Sequence, residues 1–265
     1  MQDSLDAAGI AAWLEREHSA SARFKPFATE KGVTSLAAAY DVQREYVRRL
    51  DDARKVGRAG YKIGLTSTAM QAMCGIDSPV AGVVLADRVH ASGVRLQRRD
   101  YGRFGVEFEI AVRMGQDLGC LDRPFTLDDI ERAVDGVAPA MEIVDDRACD
   151  YKTLDVRSLV ADNAWNAGIV VGEFRSSWPD LAQVEGSVTV DGGAVLDRGR
   201  GSDVLGNPLM PVVWLANHLC ARGENLKAGE IVMTGSMVTT KFPMEPHHYR
   251  FEVTGLGAVT LEVAD

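Results

Sequence analysis

Gly105-Val-Glu-Phe-Glu-Ile-Ala-Val112 sets Val106, Phe108, Ile110 and Val112 in alternation with Glu107, Glu109 and Ala111. A period of two belongs to a β-strand, whose successive side chains point to opposite faces. Glu107 and Glu109 therefore share one face, roughly 6.6–7 Å apart along the backbone, with an apolar face behind them. Two like charges on one sheet face repel unless water, a cation or a proton comes between them. A second short apolar run, Ala140-Met-Glu-Ile-Val144, delivers a third carboxylate, Glu142. Three hard oxygen ligands with no His or Cys beside them suit Mg²⁺ or Mn²⁺ better than zinc or copper. The competing reading is a solvated strand face, because Glu-x-Glu also occurs on exposed strands.

Bulk properties bound the rest. A chain of 265 residues forms one large domain, or a small N-terminal layer packed on a larger core. Its 46% hydrophobic and 25% charged residues are ordinary for a soluble globular protein. A net charge of −9 argues against nucleic acid, whose phosphates need a basic surface. No apolar run reaches the roughly 18 residues of a membrane span. The start, Met1-Gln-Asp-Ser-Leu-Asp6, is acidic and lacks a basic segment before an apolar one, so no secretory signal is expected. Cys74, Cys120, Cys149 and Cys220 are widely spaced, which reads as free thiols in a reducing cytoplasm.

Outward from the glutamates, residues 3–20 read as a helix with His18 on the surface. Leu36, Tyr40, Gln43, Val47 and Leu50 form the inward stripe of a second helix opened by Thr34 or Ser35. Residues 1–60 thus make a helical N-terminal layer, and 61–265 the core. Tyr61-Lys-Ile-Gly-Leu65 is a short strand whose Lys62 sits among apolar neighbours. Burial there would lower its pKa and make it a proton carrier, against the commoner fate of a solvated lysine.

Asp77-Ser-Pro79 is a turn, Val80–Leu85 a buried strand, and residues 86–103 a polar connection. Thr126-Leu-Asp-Asp129 resembles a capping box. Val188–Val190 and Ala194–Leu196 make a hairpin around Asp191-Gly-Gly193, and residues 249–254 pair with 258–263. Val212, Leu215, Ala216 and Leu219 stripe a helix in which His218 packs or lies at the surface. His247-His248 reads as a surface loop.

Several chemistries lack their signature. Gly199-Arg-Gly201 with Gly206 has the wrong spacing for a dinucleotide loop, and no βαβ unit surrounds it. There is no G-x-S-x-G elbow, H-E-x-x-H, P-loop or internal repeat. A β-rich core with helices around it, three carboxylates and one lysine remain.

Six motifs stand in order along the chain: Lys62-Ile-Gly-Leu-Thr-Ser67, Val106-Glu-Phe-Glu109, Met141-Glu-Ile-Val-Asp145, Ala161-Asp-Asn163, Leu215-Ala-Asn217 and Val232-Met-Thr-Gly-Ser236. Together they resemble the 2-oxopent-4-enoate hydratase / 4-oxalocrotonate decarboxylase family, related to the fumarylacetoacetate hydrolases, from about residue 34 to the C-terminus. The resemblance implies an α+β fold with a mixed β-sheet (β-roll) core. It makes Glu107, Glu109 and Glu142 ligands of Mg²⁺ or Mn²⁺ and Lys62 the proton-transfer residue. It adds Ser67, Trp165 and Ser236 as candidate contacts to a small 2-oxo acid. It also implies a homo-oligomer and association with a paired hydratase or decarboxylase.

Departures from the family pattern bear on the reaction. Ser78-Pro-Val80-Ala81 lacks the acidic residue that family hydratases often carry after the proline, which resembles the decarboxylase branch. Asp77 is the nearby substitute for activating water. Trp165 stands where small residues are usual, so its bulk alters the pocket if it faces inward and is a packed core residue if it does not. The loop 242–248 differs as well. Hydration of a 2-hydroxy-dienoate to a 4-hydroxy-2-oxo acid is the expected reaction, with decarboxylation of a 2-oxo-enedioate second. Behind these stand a C–C hydrolase, for which no His is placed, and a non-catalytic metabolite-binding protein.

Overall fold

The computed structural model describes residues 5–265. Residues 1–4, where the acidic start and the first of the expected helix fall, lie outside the described residues. Helix α1 (Ala7–Ser19) is opened by Asp6, whose carboxylate accepts the Gly9 N–H. Helix α2 (Leu36–Arg54) is opened by Ser35 in the same way, on Ala38. Then follow β1 (Arg58–Gly64), α3 (Thr68–Met73), β2 (Val80–Leu85), β3 (Val89–Ala91), β4 (Val94–Gln97) and β5 (Phe104–Met114). Helix α4 (Leu127–Ala133), with its capping box at Thr126 and Asp129, leads into β6 (Val134–Asp145). After α5 (Val156–Ala161) come β7 (Asn166–Val171), β8 (Glu185–Val190), β9 (Val195–Arg200) and α6 (Leu209–Ala221). Strands β10 (Ile231–Ser236), β11 (His247–Val253) and β12 (Gly257–Ala264) close the chain.

Two mixed sheets result. The seven-stranded one runs β2-β1-β10-β5-β6-β7-β3 and the five-stranded one β4-β12-β11-β8-β9. Strand β5 carries its alternation into the packing. Val106, Phe108, Ile110 and Val112 are all fully buried, and Phe108 meets Tyr249 and Phe251 of the second sheet at 5.8 and 5.6 Å. On the other face of the large sheet, the face that carries the glutamates, Val84, Ala111, Ala140, Ile169 and Met233 form a smaller apolar cluster beside them. The α+β expectation of a mixed-sheet core agrees with this architecture.

The N-terminal helices dock through polar bridges as well as apolar contact. The Gln43 amide donates to the carbonyls of Ala81 and Val160, and Ser158 Oγ accepts the N–H groups of Phe27 and Ala28. Among the described residues no helix is long and apolar enough to cross a membrane.

The structure corrects five readings. His247 and His248, expected in a surface loop, open β11 and pair with Val263 and Glu262 of β12. The buried face of α2 is Ala39, Tyr40, Val42, Gln43 and Tyr46: Tyr40 and Gln43 of the expected stripe are buried, Gln43 on two carbonyl partners, whereas Leu36, Val47 and Leu50 are only partly buried. Residues 86–103 hold β3 and β4, each pairing in parallel with a distant strand, β7 and β12 respectively. Strands of three and four residues are too short to show a period. His18 is not a free surface residue: its Nε2 lies 2.6 Å from a carboxylate oxygen of the buried Asp162, and its ring stacks on Tyr46. Finally, only Cys74 and Cys149 are free; Cys120 and Cys220 form a disulfide, their Cα atoms 5.5 Å apart across 100 residues of chain.

Candidate active site

Strand order alone assembles the charged groups. In the antiparallel β5–β6 pair Glu107 stands opposite Glu142, and the β10–β5 register sets Ser236 against Glu109. One carboxylate oxygen each from Glu107, Glu109 and Glu142 lies within 4.8 Å of the others. Lys62 on β1 is one strand beyond β10, with its Nζ 3.3 Å from Glu142 Oε1. Glycine keeps this space open. A Cβ on Gly82 would meet Lys62 Cγ at 3.1 Å and the Asn163 carbonyl oxygen at 2.6 Å.

Each glutamate has one oxygen fixed by a donor. Glu109 Oε2 accepts the Gly235 N–H at 2.7 Å, Glu142 Oε1 accepts Asn166 Nδ2 at 3.0 Å, and Glu107 Oε1 accepts the Thr240 hydroxyl at 2.8 Å. Gly235 turns there at φ +108°, where a side chain is strained and a Cβ would strike Thr66. The second oxygens, Glu109 Oε1 and Glu142 Oε2, are buried without a hydrogen-bond partner among the described residues. A buried carboxylate oxygen left unpaired is costly. Burial, and then the neighbouring carboxylates, push the Glu109 pKa well up. Burial also raises Glu142, with Lys62 acting against it and Glu107 with it. Orphaned hard oxygens in a crowd of like charges fit a divalent cation of the Mg²⁺ or Mn²⁺ kind.

Lys62 is 5% exposed, yet its pKa lies above the usual value. Burial is the largest single influence and lowers it, but Glu142, Glu107 and Glu109 together outweigh burial. The expectation of a lowered pKa counted only burial and is corrected here. Neutralising those carboxylates would remove their support and leave burial, which favours the free amine.

Lys62 and Glu107 border a cavity of about 330 Å³. Ser67, Trp165 and Ser236 line it too, although Ser67 Oγ also caps α3 and Ser236 Oγ donates to the Val238 carbonyl. Asp77 is exposed and does not line the cavity. Much of the remaining wall is apolar, with Val80, Val144, Leu154, Leu159 and Phe242. Sequence reasoning missed Asn166 and Thr240 as holders of the carboxylates. Their only signal was Asn166 next to the Ala161-Asp-Asn163 motif; nothing local marks Thr240.

The chain is similar to several proteins of known activity or structure. Residues 59–264 match the family model described as fumarylacetoacetate (FAA) hydrolase C-terminal. The chain is 32% identical over 264 residues to a 2-keto-4-pentenoate hydratase of Burkholderia vietnamiensis, covering 98% of both chains. It is 34% identical over 232 residues to a 4-oxalocrotonate decarboxylase of Pseudomonas putida, covering 85% of this chain and 84% of that one. The 4-oxalocrotonate decarboxylase of Pseudomonas putida G7, solved with magnesium and adipate, superposes with a TM-score of 0.89 at 30% identity over 97% of both chains.

Proposed function

The chain belongs to the fumarylacetoacetate hydrolase family and is a lyase of its hydratase and decarboxylase group; from that premise we propose that it hydrates a 2-hydroxy-dienoate or 2-oxo-enoate acid to a 4-hydroxy-2-oxo acid. The observation that carries this reading is the charge of the cavity lining. Glu107 and Lys62 are the only charged side chains among the described lining residues, and Lys62 is the only cationic one. A substrate with a single carboxylate and an uncharged hydrocarbon end matches that lining. A second carboxylate buried in the apolar part would have no partner.

Glu107, Glu109 and Glu142 would hold Mg²⁺ or Mn²⁺, kept in place by Thr240, Gly235 and Asn166. The bound cation supplies Lewis-acid stabilisation of the charge that develops on the 2-oxygen of the substrate. Lys62 moves a proton to the far carbon of the dienol as the 2-oxygen gives one up, so ketonisation leaves the proton count unchanged. Water then adds across the remaining double bond, its hydroxyl to C4 and its proton to C3. Ser67 and Ser236 line the same cavity and offer hydroxyls to the substrate.

Decarboxylation is the second reading, and one observation favours it. Asp77 is exposed and off the cavity, and Glu107 is the only acidic side chain among the described lining residues, so no separate base for water is in evidence. Mass spectrometry of products from 2-hydroxy-dienoate and 2-oxo-enedioate acids, with Mg²⁺ and with chelator, separates the two. Metal-dependent gain of one water supports hydration. Loss of CO₂ moves the chain to the decarboxylase reading, and no turnover of either acid removes the substrate class proposed here.

The resemblance further supports a homo-oligomer that associates with a paired enzyme of the complementary activity. Light scattering that returned the mass of one chain would remove the oligomer, and failure of the two enzymes to co-sediment would remove the pairing.

A further inference from the structure

We propose that Trp165 is the wall that sets how long a carbon chain the active-site cavity accepts, an inference that rests on the 2-oxo acid reading above. Trp165 lines the active-site cavity of about 330 Å³ and also a second cavity of about 380 Å³, so it stands between the two. The second cavity is polar, with His18, Tyr101, Asp145, Asp162 and Asn163 on its wall. The indole is 6% exposed and is held edge-on by Phe24 and Tyr151, at 5.1 and 5.9 Å between ring centres. Its Nε1 is buried with no hydrogen-bond partner among the described residues, a cost that a purely apolar filler would not carry.

The backbone argues that this wall is positioned and is more than filling. Asn163, Ala164 and Trp165 have φ of 52°, 49° and 60°, three consecutive non-glycine residues in the left-handed region. Such conformations persist only where the surroundings over-determine them. Here both ends are tied. The Asn163 side chain accepts the Val83 N–H at 2.7 Å and donates to the Val83 carbonyl at 2.9 Å, while Asn166 donates to Glu142. The backbone that carries the indole is thereby tied on one side to a sheet strand and on the other to a carboxylate of the site, and the ring itself is packed between Phe24 and Tyr151. A smaller side chain at 165 would join the two cavities.

Calorimetric binding of straight-chain 2-oxo acids of increasing length, with Mg²⁺ present, tests this. In the unaltered protein affinity rises with chain length and then drops where the chain meets Trp165. Trp165→Ala removes the drop and strengthens binding of the longest acid at least about tenfold, the scale on which an apolar pocket discriminates by size. The shortest acid should change by less than about threefold. Trp165→Phe retains most of the bulk and keeps the original profile. An unchanged length dependence in Trp165→Ala overturns the proposal, as does a Trp165→Phe profile that shifts as far as that of Trp165→Ala, since bulk is then not the cause. If circular dichroism shows that Trp165→Ala does not fold, Trp165→Leu takes its place with the same expectations. Failure of the unaltered protein to bind any 2-oxo acid is a different result, and it removes the substrate class.

Discussion

Thr240 lies far along the chain from Glu107, yet its hydroxyl fixes one oxygen of that carboxylate. Partners of this kind orient metal ligands, and their loss commonly weakens metal binding 10–100-fold. Thr240→Val should therefore raise the Mg²⁺ dissociation constant by roughly tenfold with little change in melting temperature. Unchanged affinity by calorimetry would remove Thr240 from the site. Lys62→Ala should lower turnover by about 10²–10⁴-fold, the usual share of a positioned proton carrier, while Mg²⁺ still binds. A variant that turns over normally would end the proton-transfer role. Glu107 and Glu109 were legible because a period of two puts them on one face. Lys62 was a candidate from its apolar neighbours and gained its weight from the family resemblance, because a strand lysine is ambiguous until its spatial neighbours are known. Thr240 and Asn166 were illegible as site residues, since their roles come from strand register and loop closure.

Helix α6 supplies the pH-sensitive element. His218 lies against Tyr40 of α2 at 4.5 Å and stacks on Trp214 at 4.9 Å. Burial, and then the Arg222 charge, push its pKa down to about 4 from an ordinary 6.5. The folded chain therefore favours neutral His218, while the unfolded chain takes up its proton below pH 6.5. The resulting stability is fully present above that pH and is lost as the pH falls through about 4. Allowing for partial exposure, the loss should be about 1–2 kcal/mol. His218→Gln should flatten this part of the stability profile in urea titrations between pH 7 and pH 4. An identical profile would show that His218 is not the group responsible. Helices α2 and α6 were readable from their apolar stripes, but not the shift that buries Ala39, Val42 and Tyr46 of α2. Strands β3 and β4 escaped because they exist only through pairing with β7 and β12.

At the scale of the molecule, the Cys120–Cys220 bond ties the loop after β5 to the end of α6. A cross-link closing so long a loop typically stabilises by roughly 2–4 kcal/mol. Cys120→Ser, or a reductant added to the oxidised protein, should lower the denaturation midpoint accordingly. Turnover should be unaffected under native conditions, since neither cysteine lines the active-site cavity. Identical midpoints with and without reductant would mean that the bond does not form in solution. In a reducing cytoplasm it would stand open. Periodicity and charge repulsion are local properties of the chain, so they were enough to place the strands that carry the glutamates, the main helices and the three-carboxylate set. Motifs standing in order were enough for the family. Folding was needed to set the Lys62 pKa, the partners of each carboxylate, the disulfide, the Asp162 contact of His18 and the place of Trp165 between two cavities. Each of these depends on which distant segments lie side by side, and burial and electrostatic fields exist only once they do.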